Sequence, residues 1–270
     1  MSDLKSEFLK LEDFSTKWEK YFDVYENILN KYKNKNITFV EIGIFNGGSL
    51  KLWKKFFGEK ARIIGIDLNQ KCKQFENKKE NIEIFIGNQS DENFWDDFFS
   101  KVGNVDIILD DGGHTNLDLI TTFSKSIPFI NDGGLFIAED THTCYQKHYN
   151  SSFKYSFINF SKNLIDELNS NIKKKLDIKT TNKIKKILYS IEYFESIAVF
   201  KIDRTKTYEN YSIDNKGRFH SIEDLSDIGN EIFIQKLKKF ISKISFISLN
   251  KFTIFIKNII NNQHIKKYFK

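Results

Sequence analysis

The chain of 270 residues contains one proline, Pro128, and two cysteines, Cys72 and Cys144. Two cysteines cannot build a disulfide framework, and their scarcity fits a reducing compartment, so a cytoplasmic location is expected. No proline-rich linker and no internal repeat divides the chain. Uncharged apolar runs never reach the length of about 18 residues that a membrane-spanning helix requires. The opening residues, MSDLKSEFLKLEDF, carry charges throughout and are unlike a secretory signal. Acidic residues stop at Glu231 while lysines continue to Lys270, although the net charge is only +6. That stretch reads as a solvated basic face, with contact to an anionic membrane surface, phosphate or acidic partner as the alternative. The lysines are not interleaved with an RNA-binding motif, so nucleic acid is not an expected partner. What the chain does have is hydrophobic mass: 40% of residues, including 27 Phe, enough for a sizeable core.

Residues 1–36 place Phe8, Leu11, Trp18, Phe22, Tyr25 and Leu29 at roughly helical spacing, which predicts a helical N-terminal segment. From there short apolar runs alternate with helical patterns. The runs ITFVEIG, RIIGIDLN, IEIFIGN, VDIILDD and LFIAED predict strands. Between them, SLKLWKKFF (with Ser49 available to cap its first turn), ENFWDDFF and NLDLITTFSKSIPFI predict helices, the last closed by the turn signal NDGG. Residues 153–174 and 183–188 read as helical, and IEYFESIAVFKID as a hairpin closing the sheet. Strands that are continuous apolar runs belong in a mostly parallel sheet covered on both faces. The expected fold is α/β: a Rossmann-like, doubly wound, seven-stranded sheet over residues 37–205, preceded by the helical segment 1–36 and followed by a helical basic tail over 206–270. In that tail Phe233, Leu237, Phe240, Ile241 and Ile244 lie between lysines. This suits a dimer or domain-packing helix, hence an expected homo-oligomer, with peripheral membrane contact as the alternative.

Ligands of such sheets bind at the carboxyl ends of the strands. Those ends are polar or glycine-bearing here: Glu41-Ile42-Gly43, Asp67, Gly87-Asn88-Gln89-Ser90, Asp110-Asp111 and Glu139-Asp140. Glycine is scarce, 13 in all, yet Gly43, Gly47 and Gly48 fall in one strand-to-helix loop. Glycines there let backbone approach a ligand closely. Asp67 suits a ribose diol, whose two hydroxyls can both donate to a carboxylate. The loop pattern is G-x-x-x-G-G rather than G-x-G-x-x-G, which argues against NAD.

Asp111, Glu139 and Asp140 end strands that, if adjacent, lie about 4.8 Å apart. Three carboxylates that close repel one another, and oxygen ligands select a hard cation such as Mg²⁺, Mn²⁺ or Ca²⁺. Neighbouring strand residues point to opposite faces, so Glu139 and Asp140 can both serve only if the strand breaks there. The bland alternative is that the acids cap helices, as Asp111 is placed to do before GGHTNLDL. His114, on the same loop as Asp111, is the candidate general base; His142 is a weaker candidate, supporting the site or facing substrate.

FVEIGIFNGGSLKLW, IIGIDLN, IGNQSD and DIILDDGGH, in this order, resemble the class I S-adenosylmethionine-dependent methyltransferases. The likeness is closer to the metal-dependent sugar O-methyltransferases of macrolide tailoring and bacterial surface-polysaccharide synthesis; cephalosporin hydroxylase-like proteins share this fold. STKWEKYFDVYENIL also resembles the helix that precedes the first strand in that group, so the likeness runs over roughly residues 14–203. It implies S-adenosylmethionine and a Mg²⁺ or Mn²⁺ ion as cofactors. Glu41 and Gly43 would sit under the methionine part and Asp67 would bind the ribose; Gly47 and Ser49 of the same loop are further cofactor-binding candidates. Gln89 and Ser90 would lie by the adenine, although the family often has Asp where Asn88 stands. Asp110 is placed on the cofactor side, or orients its neighbour. Asp111, Glu139 and Asp140 would bind the ion, and His114 with Asp111 would be catalytic. The implied reaction is O-methylation of a sugar hydroxyl on a surface (capsule) polysaccharide or its nucleotide-linked precursor. Alternatives are a non-sugar acceptor, such as a small phosphorylated group or a diol, and an RNA- or membrane-associated binding protein that uses the tail.

Overall fold

A computed structural model describes residues 3–149, 153–170, 172, 184–218 and 220. The chain divides into one compact unit over Met1–Ser212 and a second over Ile213–Lys270. Of the second unit, 213–218 and 220 are described. They lack regular structure, and the side chains of Asp214 and Asn215 accept from the backbone N–H groups of Lys216 and Gly217. The apolar tail positions from Phe233 to Ile244 lie outside the described residues.

The first unit begins with α1 (Asp3–Phe8) and α2 (Tyr21–Leu29). Then come β1 (Thr38–Ile42), α3 (Gly48–Phe57), β2 (Arg62–Asp67), β3 (Ile82–Ile86), α4 (Glu92–Val102), β4 (Val105–Asp110) and α5 (Asn116–Ser126). β5 (Ile130–Ala138), α6 (Phe157–Asn169), β6 (Leu188–Phe194) and β7 (Ile197–Ile202) complete it. The seven-stranded sheet has the order β3-β2-β1-β4-β5-β7-β6. Strands β1 to β5 pair in parallel, and β7 is antiparallel to both of its neighbours. The chain order reverses between β1 and β4, where a ligand crevice is expected.

Each face of the sheet carries its own core. Phe39, Ile63, Ile107, Leu135 and Val199 pack with Trp53, Phe57 and Tyr25 on one side. Val40, Ile64, Ile108, Phe136 and Phe200 pack with Trp95, Phe98, Phe123 and Phe157 on the other. Successive strand residues alternate between these cores, which is why the strands read as unbroken apolar runs.

Local readings fail where a tertiary contact overrides a sequence pattern. The N-terminal segment is not continuously helical: residues between α1 and α2 form loop and turn. Lys17 is buried there among acids, and the Asp13 and Phe14 carbonyls press against Gly48, where an added Cβ would stand 2.5 Å from the Asp13 oxygen. Ser49 does not cap α3. That position falls to Gly47 in the left-handed region (φ 73°), while Ser49 Oγ donates to Glu41. Residues 184–187 form a turn rather than a helix, and Leu188 opens β6. The NDGG stretch lies within β5 and bulges it: Val105 pairs with Ile130, and the next pair is Ile107 with Leu135. Gly133 takes φ 83° in that bulge.

Candidate active site

The register of the sheet aligns the candidate acids. Ile42 pairs with Asp110, and Asp110 with Ala138. One residue further along, the Asp111 N–H donates to the Ile42 carbonyl and the Glu139 N–H to the Asp110 carbonyl. β5 ends at Ala138, and Asp140 adopts a left-handed conformation (φ 51°). That turn breaks the strand alternation and lets Glu139 and Asp140 both line one cavity with Asp111 and His114. His114 is left-handed as well (φ 56°). Thr143 Oγ1 lies within hydrogen-bond reach of the carbonyls of Asp140 (2.8 Å) and His114 (3.1 Å), between which its one O–H is shared, and so bridges the two turns. Asp111 does not cap α5: Thr115 does, in a capping box with Asp118.

This cavity, about 370 Å³, is closed on one side by residues 14–18 and Tyr21. Lys17 enters it with a side chain only 3% exposed. Its Nζ donates to Asp111 Oδ2 at 2.6 Å and to the Glu139 oxygens at 3.1 and 3.0 Å, and stands 3.7 Å from Glu41. Burial alone would lower its pKa, but the charges of Asp111, Glu139 and Glu41 outweigh that and hold the ammonium charged. Burial and the neighbouring Asp111 push the Glu139 carboxyl up. Tyr25 donates to Glu139, and Tyr21 donates to Asp140 at 2.5 Å. Burial first, then these acids, raise both phenols, so they remain donors. Glu41 points toward α3: Ser49 Oγ (2.7 Å) and Trp53 Nε1 (3.0 Å) donate to it, and burial raises its pKa.

Asp111, His114 and Asp140 each offer a ligand atom within 4.8 Å of the others. His114 Nε2 is 3.8 Å from Asp111 Oδ1 and 3.7 Å from Asp140 Oδ2, and its Nδ1 is buried without a hydrogen-bond partner. Three carboxylates, Glu41, Asp111 and Glu139, thus meet the Lys17 ammonium, and Asp140 adds a fourth to the cluster. The surplus negative charge and the oxygen-rich donor set fit a hard divalent cation. Glu139, the third acid of the expected set, is engaged by Lys17 and Tyr25 instead.

A second cavity of about 380 Å³ shares Gly43, Phe45 and Asp111 with the first. Asp67, Leu68, Asn88, Gln89 and Gly113 help to line it. Asp67 Oδ2 accepts the Ile44 and Phe45 N–H groups at 3.1 Å each, and Oδ1 accepts that of Asn69 at 2.8 Å. Gly43 (φ 84°) could not be another residue, since a Cβ there would stand 2.2 Å from the Asp111 carbonyl oxygen. Gln89 is a clamp: Nε2 donates to Asp110 and Thr122, and Oε1 accepts from Gly113. Asp110 is fully buried beneath the loop, and desolvation pushes its pKa up to about 7 against the bonds from Gln89 and Gly112. Ser90 donates to Asn88 and, like Gly47, is not among the lining residues.

Lys17, Tyr21 and Tyr25 are site residues that sequence reasoning missed. Helical spacing assigned Tyr25 to a core face, which it also serves, and gave Lys17 no part. The available signal was a lysine within STKWEKYF, in the stretch that carries the family likeness.

No protein-family model matches the chain. Among curated proteins it is 31% identical to an 8-demethyl-8-alpha-L-rhamnosyl tetracenomycin-C 2'-O-methyltransferase of Streptomyces olivaceus over 173 residues, 59% of this chain and 44% of that one. It is 34% identical to the mycinamicin VI 2''-O-methyltransferase of Micromonospora griseorubida over 128 residues, 45% of this chain and 31% of that one. By sequence, the chain is similar to these O-methyltransferases over 173 and 128 residues. It spans less than half the length of these two relatives. The solved structure of the MycE methyltransferase from the mycinamycin biosynthetic pathway, in complex with Mg and SAH, superposes with a TM-score of 0.65 at 24% identity, covering 82% of this chain and 56% of that one. The fold is therefore the Rossmann-like α/β fold that the MycE methyltransferase also has. Among the described residues no helix is long and apolar enough to cross a membrane.

Proposed function

We propose that this protein is an S-adenosylmethionine- and divalent-metal-dependent O-methyltransferase acting on a sugar hydroxyl. The observation that carries the reading is the meeting of Asp111, His114 and Asp140 beside a second cavity walled by Asp67. The sugar O-methyltransferase relatives and the Mg- and SAH-bound structural neighbour support the same chemistry. When bound, S-adenosylmethionine supplies a methyl group on a sulfonium, and the ion supplies positive charge that favours an alkoxide.

The chain's own residues do the rest. The second cavity would take the nucleoside, with Asp67 at its wall as the acceptor for the ribose. Gly43 and Phe45, shared by both cavities, lie between nucleoside and acid cluster. Asp111 and Asp140, with Glu139, hold the ion. His114 takes the acceptor's hydroxyl proton at Nε2, because a sugar hydroxyl is almost fully protonated near neutral pH. Trp18 and Phe14, each 61% exposed at the cavity mouth, offer apolar surface to a sugar ring. For the acceptor itself we favour a bacterial surface saccharide or its nucleotide-linked precursor.

Methyl transfer from labelled S-adenosylmethionine to a panel of nucleotide-linked sugars, with and without EDTA, tests this. Turnover that EDTA abolishes and Mg²⁺ or Mn²⁺ restores is expected. Turnover indifferent to EDTA would demote the acids to structural roles. Cofactor binding without transfer to any sugar would point to another acceptor class.

A further inference from the structure

Lys17 has no part in the chemistry above. Three carboxylates delivered by β1 and by the ends of β4 and β5 converge on its ammonium. A buried ammonium is tolerated only when such partners compensate it. Here it stands where Asp111 and Glu139 converge, a place that equally suits a hard cation.

Lys17 separates two possible ion sites. With Lys17 in place, Glu139 is engaged by Lys17 and Tyr25, and the ligand atoms near one another belong to Asp111, His114 and Asp140. That set consumes His114. With Lys17 withdrawn, Glu139 joins Asp111 and Asp140, and His114 keeps Nε2 for a proton. A divalent ion carries twice the ammonium's charge and prefers oxygen to nitrogen, so it should win the carboxylates. The lysine has somewhere to go, since residues 14–18 lack helix or strand and wall an open cavity.

We propose that Lys17 is a tethered counter-ion that holds Asp111 and Glu139 together in the ion-free protein and is displaced from Glu139 when a divalent cation binds. The proposal rests on the divalent-ion reading of this site. Lys17 is then a positioning residue, and its removal changes ion affinity directly, without reference to turnover.

Electron paramagnetic resonance of Mn²⁺, titrated into wild type, Lys17→Met and the double variant Lys17→Met/Glu139→Gln, is the test. Lys17→Met should bind Mn²⁺ at least about tenfold more tightly than wild type, since a competing charge has gone, and the double variant should lose that gain. Equal or weaker binding by Lys17→Met, with wild type binding, overturns displacement and leaves the ion site standing. Absence of Mn²⁺ binding in both removes the ion site and the proposal with it. Because Lys17→Met leaves buried acids uncompensated and is at risk of not folding, a second measurement uses the unaltered protein. Reductive methylation with formaldehyde and cyanoborohydride, read by peptide mass spectrometry, should modify Lys17 slowly in EDTA and about tenfold faster in saturating Mn²⁺, because burial shields an amine from reagent. Equal protection under both conditions also overturns the proposal.

Discussion

The two cavities on the carboxyl rim hold their acids in opposite ways. On the side of the second cavity, Asp67 accepts three backbone N–H groups, and Asp110 lies sealed under Gln89. These carboxyls are held by neutral N–H donors that fix the shape of the loops. On the other side Asp111, Glu139 and Asp140 crowd together, and their compensation comes from Lys17, Tyr21 and Tyr25, all near the N-terminus. Neutral dipoles suffice where shape is required. Where charge is kept for chemistry, the chain must bring a countercharge from far away, and the left-handed turns at His114 and Asp140 fall on this side.

The sharpest break between the two sides should come from Asp111→Asn or Asp140→Asn. Loss of several kcal/mol of charge stabilisation predicts turnover lower by about 10³-fold, while SAH affinity by calorimetry stays close to wild type. Joint loss of SAH binding would mean that the two cavities are not separable. His114→Ala should cost less, about 10²-fold in turnover, with Mn²⁺ affinity largely kept; unchanged turnover would remove it as the base. Asp67→Asn acts on the opposite side and should weaken cofactor affinity by about tenfold, with turnover at saturating cofactor little altered. An unchanged dissociation constant would deny Asp67 the ribose.

The smallest effect concerns pH. The Asp110 carboxyl is raised from 3.8 to about 7 by burial, so the folded protein holds this proton longer than the unfolded chain. Its contribution to stability is complete below the unfolded pKa and is lost as pH rises through about 7. Urea midpoints should therefore fall across that window, and a carbon-13 titration of Asp110 should show its midpoint near neutrality. A midpoint in the usual aspartate range would place Asp110 in contact with water.

Much of the fold was legible because the parallel strands are mostly short apolar runs with polar or glycine residues at or just past their carboxyl ends. IIGIDLN and DIILDD announce both the strand and its functional tip. Asp111, Glu139 and Asp140 were legible as a group for the same reason, since parallel neighbours end at one rim. Ser49 as a cap and residues 183–188 as a helix misled, because capping residues and short apolar patterns serve several local structures alike.

The sequence by itself determined the parallel sheet, the rim and the kinds of side chain on it, since strand periodicity and strand ends are local properties. Only the tertiary structure decided that Lys17 sits among the acids, that the Asp140 turn brings its carboxylate to His114 and Asp111, and that Gln89 clamps Asp110. Those outcomes depend on electrostatic and packing terms between residues far apart in the chain, such as Lys17 and Glu139. No window of sequence contains both partners.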